Sequence, residues 1–186
     1  MKLKKCNAIL SLLSALTLLI HILYNIFAYA AFFYDPTLKM LTALPFIIIV
    51  CAHAICGMCS VFLLGDGTCP ALYPKQNVKT IIQRVSAALI FPLLIIHLNS
   101  YSLLKKGASE SMALFVLIII LQLLFFAVIA SHTAVSFSNA FITLGILSDI
   151  NKKRMIDIAM IIMCALLFIT AAFCIIRGEL IMFFSE

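Results

Sequence analysis

Five long apolar runs follow one another along the chain, and short polar segments separate them. The runs cover residues 8–34, 40–64, 79–104, 111–145 and 153–184, and we number them spans I to V. Each is longer than the ~20 residues that a helix needs to cross the ~30 Å hydrocarbon core of a bilayer. The segments between them carry turn-forming residues: Asp35-Pro36, Gly65-Asp66-Gly67, Cys69-Pro70, Pro74, Lys105-Lys106-Gly107 and Ser148-Asp149. The pattern predicts one integral membrane domain, residues 1–186, built from five transmembrane helices.

The composition agrees with this interpretation. Of the 186 residues, 65% are hydrophobic and 11% are charged, and a compact fold in water cannot cover that much apolar surface. The net charge of +6 comes from basic residues in small groups between the apolar runs, which is not a nucleic-acid-binding pattern. The loops are too short to hold a separate catalytic domain.

The basic residues between the spans predict the orientation. One side receives nine of them and the other receives four: Lys2, Lys4, Lys5, Lys75, Lys79, Arg84, Lys152, Lys153 and Arg154 against Lys39, Lys105, Lys106 and Arg177. The positive-inside rule therefore places the N-terminus in the cytoplasm and the C-terminus outside. A cleaved signal peptide ending near Ala28-Tyr29-Ala30 is the alternative for span I. Its long apolar stretch, which contains His21 and Asn25, favours a retained helix.

The chain has four histidines, and each lies in a different span: His21, His53, His97 and His132 in spans I to IV. A single membrane histidine usually forms a hydrogen bond within a seam of small residues between helices. Four histidines in four helices, with none in a loop, are hard to explain in that way. In span IV, His132 shares one helix face with Ser136, Asn139 and Thr143, and such a polar face usually meets other helices or a ligand.

The depths of the histidines suggest how they pair. At ~1.5 Å per residue from the cytoplasmic ends of the spans, His53 and His132 lie about 17 and 20 Å deep, and His21 and His97 about 24 and 27 Å deep. Two pairs at different depths indicate two bis-histidine haem b sites, because neutral imidazoles are axial ligands of haem iron. A zinc or copper transporter would need carboxylates or thiolates at the same depth, and spans I to IV contain no Asp or Glu. The seven cysteines have no zinc-ribbon or ferredoxin spacing and are interpreted as packing residues.

Four motifs in order resemble one known family over most of the chain. Gln83-Arg84-Val85-Ser86, with His97 thirteen residues after Arg84, is similar to a Q-R-V-[ST]-G…H helix. The others are His53 with Gly57, His21 with Asn25, and His132 with Thr143 and Gly145. The chain resembles the five-helix dihaem cytochrome b anchor of the succinate dehydrogenase and fumarate reductase (succinate:quinone oxidoreductase) family.

The resemblance implies a four-helix haem-binding bundle of spans I to IV and a peripheral fifth helix. It implies two b haems with His21, His97, His53 and His132 as axial ligands, and it implies that Arg84 meets a haem propionate. The alternative for Arg84 is a snorkelling residue that anchors its helix end. Ala87 and Ser136 stand where the family often has glycine, and both are small enough to keep haem binding.

The function implied by the resemblance is electron transfer and membrane anchoring in a bacterial cytoplasmic membrane. A flavoprotein and an iron–sulfur subunit would dock on the cytoplasmic face, formed by the N-terminus, residues 64–79 and residues 148–154. Electrons would pass through both haems to a quinone, menaquinone by resemblance, and the subunit would not be catalytic on its own. The alternatives are a dihaem anchor for another respiratory oxidoreductase, or a haem-free scaffold or small permease.

Spans I to IV contain no Asp or Glu, so the sequence gives no support for a coupled proton path across the membrane. Asp35 and Lys39 are loop candidates for a quinone site at the outer surface. Glu179, near the outer end of span V, is expected to be an interfacial residue.

Overall fold

The computed structural model describes residues 2–64 and 74–184, which form six α-helices and no strand. The helices are α1 Lys2–Ala31, α2 Pro36–Leu64, α3 Pro74–Leu98, α4 Ser100–Glu110, α5 Met112–Leu144 and α6 Ile150–Phe184. All except α4 are long and apolar enough to cross a membrane. The predicted fold class, an all-α membrane protein with five transmembrane helices, is confirmed.

The start of α2 and the end of α5 have recognisable local causes. Asp35 begins α2, because its Oδ1 accepts hydrogen bonds from the backbone N–H groups of Thr37 (2.8 Å) and Leu38 (3.1 Å). Gly145 ends α5 in the left-handed conformation, with φ of 80°, which suits a glycine. The predicted turns at Gly65-Asp66-Gly67 and Cys69-Pro70 lie outside the described residues.

Span III differs from its prediction. The predicted single helix of residues 79–104 is divided at Asn99 into α3 and α4, and the predicted turn at Lys105-Lys106-Gly107 is wrong because these residues lie inside α4. The chain turns at Ser111 instead, whose backbone is extended and whose Oγ accepts a hydrogen bond from Leu114 N. Gly107 serves close packing, since a Cβ there would lie 2.7 Å from the backbone nitrogen of Phe115 on α5.

The long helices form an antiparallel bundle. Helix α1 packs along α2, α3 packs along α5, and α1 also packs against α5. A buried cluster of Leu93, Phe125, Val128 and Ile129 joins α3 to α5, and Leu18 of α1 packs against it. The starts of α1, α3 and α6 meet the ends of α2 and α5 at what we call the N side, and the opposite end is the C side.

Helix α6 packs against α5 and α1 and has a polar link near each of its ends. At the N side, Asp157 accepts hydrogen bonds from Ser138 Oγ (2.5 Å) and Lys79 Nζ (2.9 Å), which join it to α5 and α3. At the C side, Tyr29 Oη donates a hydrogen bond to Glu179 Oε1 (2.8 Å). The fifth spanning helix is therefore held to the other helices at two points, and among the described residues α2 is the spanning helix that packs mainly against a single neighbour, α1.

Candidate functional site

The four histidines form two pairs whose members influence each other electrostatically, each pair across two helices. His21 of α1 and His97 of α3 are close enough to interact electrostatically, and so are His53 of α2 and His132 of α5. All four side chains are half-buried. This is the pairing predicted from depth, although the binding of iron by these residues stays a prediction.

The pair nearer the C side faces a cavity. His21 and His97 both line a space of about 1180 Å³, which also borders α2, α5 and α6. Cofactor and ligand pockets are commonly ~300–1,000 Å³, so this cavity has room for a group as large as a porphyrin. His53 and His132 do not line it.

Aromatic rings and polar side chains hold the two histidines at this cavity. The His97 ring lies 5.0 Å from the Phe125 ring and 5.6 Å from the Phe126 ring, between centroids. The His21 ring stacks on Phe46 at 6.0 Å, and Asn25 Nδ2 lies 3.2 Å from His21 Nε2. His97 Nδ1 is buried without a hydrogen-bond partner among the described residues. An unpaired buried nitrogen beside a large cavity is expected where a bound group completes the site.

The pair nearer the N side has a different environment. His132 Nδ1 lies 3.1 Å from the backbone oxygen of Gln83 and 3.0 Å from Ser86 Oγ. The Gln83 carbonyl can only accept a hydrogen bond, so His132 Nδ1 carries the proton. Ser86 Oγ also accepts from Nδ1, because its own proton is donated to the Ile82 carbonyl (2.7 Å). His132 Nε2 is therefore left with a free lone pair, which is the arrangement of a metal-binding histidine with a fixed tautomer.

His53, unlike His132, has no hydrogen bond from its Nδ1 within the described part of the chain that fixes its tautomer. Its Nδ1 is buried and unpaired among the described residues, as is Asn7 Oδ1. Asn7 of α1 covers Gly57, with Oδ1 3.5 Å from the position of a Cβ there. The bare face of Gly57 thus meets a neighbouring helix in this structure, which is what a seam of small residues requires.

Two further predicted residues lie near His132. Arg84 is half-buried on α3, directly after Gln83, and its contact with a haem propionate stays a prediction. Ser136 donates its hydroxyl to the backbone oxygen of His132, one turn earlier on the same helix. The Ser136 hydroxyl is therefore engaged with its own helix.

The prediction for one polar residue at the C side needs correction. Glu179 is not interfacial, because it is only 3% exposed and is bonded to Tyr29. Gly178 makes room for this pair, since a Cβ there would collide with the Tyr29 ring. Asp35 is occupied in capping α2, whereas Lys39 does line the cavity.

Sequence reasoning missed the buried polar residue Gln122. It lies on α5, is 3% exposed, and lines the same cavity as Glu179. The available signal was a single amide within an otherwise apolar stretch of span IV. That signal is comparable to the one that drew attention to His132.

Comparison of the chain with protein-family models, with curated proteins and with solved structures found no match. Among the described residues, no group of three or more His, Cys, Asp or Glu side chains is arranged to hold a metal ion. Axial ligation of a haem needs only two histidines, so the paired arrangement is compatible with haem and does not resemble a zinc site.

Proposed function

We propose that the chain is the membrane anchor and electron-transfer subunit of a succinate dehydrogenase or fumarate reductase complex. It carries electrons between a cytoplasmic iron–sulfur subunit and a membrane quinone through two bis-histidine b haems. The observation that carries this proposal is the pairing of four membrane histidines across four helices, with one pair facing a cavity of about 1180 Å³.

The residues of this chain bind and orient the cofactors. Haem iron supplies the one-electron redox chemistry when it is bound. His21 and His97 would hold one haem, with Phe125 and Phe126 excluding water from the His97 ring. His53 and His132 would hold the other, with Gln83 and Ser86 fixing the orientation of His132. Arg84 would meet a propionate of the haem nearer the N side.

The chain would lie in the bacterial cytoplasmic membrane, and the distribution of its basic residues supports an orientation with the N side facing the cytoplasm. A flavoprotein subunit and an iron–sulfur subunit would then dock on the N side, on the start of α1 and the turn between α5 and α6. The remaining part of the expected docking surface includes residues 65–73, which lie outside the described residues.

A reduced-minus-oxidised spectrum with haem quantitation on the purified protein tests the proposal. The wild-type protein should show a b-type signal and two haems per chain, and His132→Ala should lose one of them. Ser131→Ala is the matched control, because Ser131 is the exposed neighbour of His132 and should leave both haems in place. A wild-type protein without b haem, or a His132→Ala variant that keeps both, contradicts the proposal.

The contact between Asn7 and Gly57 favours one alternative, a haem-free scaffold or small permease in which His53 only pairs with helix neighbours. In that case neither histidine pair would bind haem, and the spectrum would lack the b-type signal. A dihaem anchor of another respiratory oxidoreductase would keep the signal but would copurify with different soluble subunits.

A further inference from the structure

Cysteine thiols from two helices lie next to each other where α1 packs along α2 at the N side. Cys56 Sγ of α2 donates a hydrogen bond to the backbone oxygen of Leu3 on α1 (3.7 Å). A helix carbonyl points along the axis toward the residue four positions later, so Cys56 lies beside the turn of α1 that contains Cys6. The Cys6 thiol is close enough to interact with the Cys56 thiol, and Cys59 is also near. Three of the seven cysteines therefore gather at one contact between two helices.

A glycine brings α1 and α2 close together at this contact. Gly57 follows Cys56, and the side chain of Asn7, which follows Cys6, covers it with Oδ1 3.5 Å from the position of a Cβ there. Small residues at a contact between membrane helices let the two backbones approach each other. A disulfide needs Cα atoms ~4.4–6.8 Å apart, and a close contact of two helices brings facing residues into this range. Of its two neighbouring thiols, Cys56 interacts more strongly with Cys6 than with Cys59.

The two thiols differ in their accessibility, and their surroundings select the reagent. Cys6 is exposed, whereas Cys56 is buried. A reagent from water therefore meets Cys6 first, because thiol exchange requires access to the sulfur. The exposed lysines Lys2, Lys4 and Lys5 precede Cys6, and the first turn of α1 contains no acidic residue. This positive charge attracts small disulfides that carry carboxylate groups.

We propose that Cys6 and Cys56 are a thiol-exchange site, which forms a reversible disulfide between α1 and α2 by reaction with a small carboxylate-bearing disulfide. The Cys6 thiolate attacks one sulfur of the small disulfide, which gives a mixed disulfide and releases one thiol. The Cys56 thiolate then attacks the Cys6 sulfur of the mixed disulfide and releases the second thiol. The two cysteines are oxidised, the small disulfide is reduced to two thiols, and the two cysteine protons end on these thiols.

The disulfide acts on the least supported of the spanning helices. Among the described residues, α2 packs mainly against α1, so its position depends on this one contact. A covalent link at Cys56 fixes α2 three residues after His53. With the N side facing the cytoplasm, the pair is open while that compartment is reducing, and it closes when small disulfides accumulate. The thiol pair needs no haem, so this inference does not depend on the proposed electron transfer.

Treatment of the full-length protein in lipid nanodiscs with oxidised glutathione tests the inference. Mass spectrometry of unreduced peptides should show Cys6 joined to Cys56, and excess reduced glutathione should restore both thiols. Cys164→Ser is the matched control, because Cys164 is a buried cysteine of α6 away from this contact. It should form the same link as the wild type.

Two serine variants separate the steps of the exchange. Cys6→Ser changes an exposed position, so it should fold as the wild type does, and its buried Cys56 should remain a free thiol. Cys56→Ser keeps the first step but lacks the second thiol, so glutathione should accumulate on Cys6. Higher ionic strength should slow the formation of this adduct, because salt screens the attraction between the lysines and the carboxylates.

Thermal unfolding measures the effect of the link on the bundle. The oxidised wild type should have a higher Tm than the reduced wild type, because a disulfide restricts the unfolded chain. Cys6→Ser should have the same Tm with either form of glutathione. A wild type whose Tm is also the same in both contradicts a restraint on α2.

The remaining outcomes decide the inference by itself. Cys6 and Cys56 that stay free thiols in excess oxidised glutathione overturn it, and so does a link between Cys56 and Cys59 in place of the expected one. An adduct rate that is independent of salt overturns the choice of a carboxylate-bearing reagent. A wild type that forms the link but contains no b haem supports the inference and contradicts the proposed function, and a haem protein without the link does the reverse.

Discussion

His132 is oriented by a backbone carbonyl and a hydroxyl on α3, one from Gln83 and one from Ser86. The sequence predicted that His132 is a functional residue and that Gln83 and Ser86 belong to a motif. It could not predict that Gln83 acts through its main chain, because every residue has a backbone carbonyl and the type of side chain does not show that the carbonyl is used. The link depends on the register between α3 and α5, which only packing determines.

If His132 binds haem as proposed, Ser86→Ala should raise the midpoint potential of that haem without releasing it. The substitution removes one of two acceptors for the His132 Nδ1 proton, and Gln83 still fixes the tautomer. A weaker hydrogen bond makes the imidazole less basic, which favours the reduced iron. We expect the midpoint potential of that haem to rise by less than ~59 mV, the value of a tenfold change in a one-electron equilibrium.

Redox titration of the reduced spectrum checks this expectation. The second haem is the internal control, because His21 and His97 do not touch Ser86, and its potential should stay unchanged. Loss of a haem, or equal shifts in both potentials, would mean that Ser86 acts on the fold rather than on His132.

At the scale of helices, the sequence predicted four of the five spans well. Most of their predicted ends lie within a few residues of the ends of the helices. Span III was predicted as one helix with a turn at Lys105-Lys106-Gly107, because lysine and glycine favour a loop. That glycine is used for close packing instead, with α4 lying against the start of α5. Local preference could not reveal this role, since the neighbour that requires it follows a turn at Ser111.

Gly107→Ala should destabilise the junction of α4 and α5. The new Cβ would lie 2.7 Å from the Phe115 backbone nitrogen, and a backbone atom cannot move aside as a flexible side chain can. Overpacking of this kind costs ~1–3 kcal/mol. Thermal unfolding in detergent measures the loss, and hydrogen exchange over residues 100–115 locates it. Ser109→Ala, at an exposed position of the same helix, should leave both measurements unchanged.

At the scale of the whole molecule, periodicity and composition predicted the class of protein and the helices that carry the histidines. They did not predict which polar residues of distant segments meet. Tyr29 and Glu179 are 150 positions apart in the chain, and Ser138 reaches Asp157 across a turn. Glu179 was judged by its distance from the end of a span, whereas its burial is decided by α1 packing against α6.

Asp157→Asn should loosen α6 from the rest of the bundle at the N side. The carboxylate joins α6 to α5 and α3 through Ser138 and Lys79, and hydrogen bonds to charged groups contribute ~1.5–3 kcal/mol each. We expect a lower Tm and faster hydrogen exchange at the start of α6. The exposed pair of Lys106 and Glu110 is the control, and Glu110→Gln should leave the Tm as it is.

The two polar links of α6 also bear on which part of this helix can move. Asp157 lies near the start of the helix and Glu179 near its end, so α6 is held to its neighbours at both ends. A helix held in this way bends most easily at its middle, around Leu167 and Ala171, where α6 borders the cavity. We therefore expect the motion of α6 to be largest beside the cavity and smallest at its two polar links.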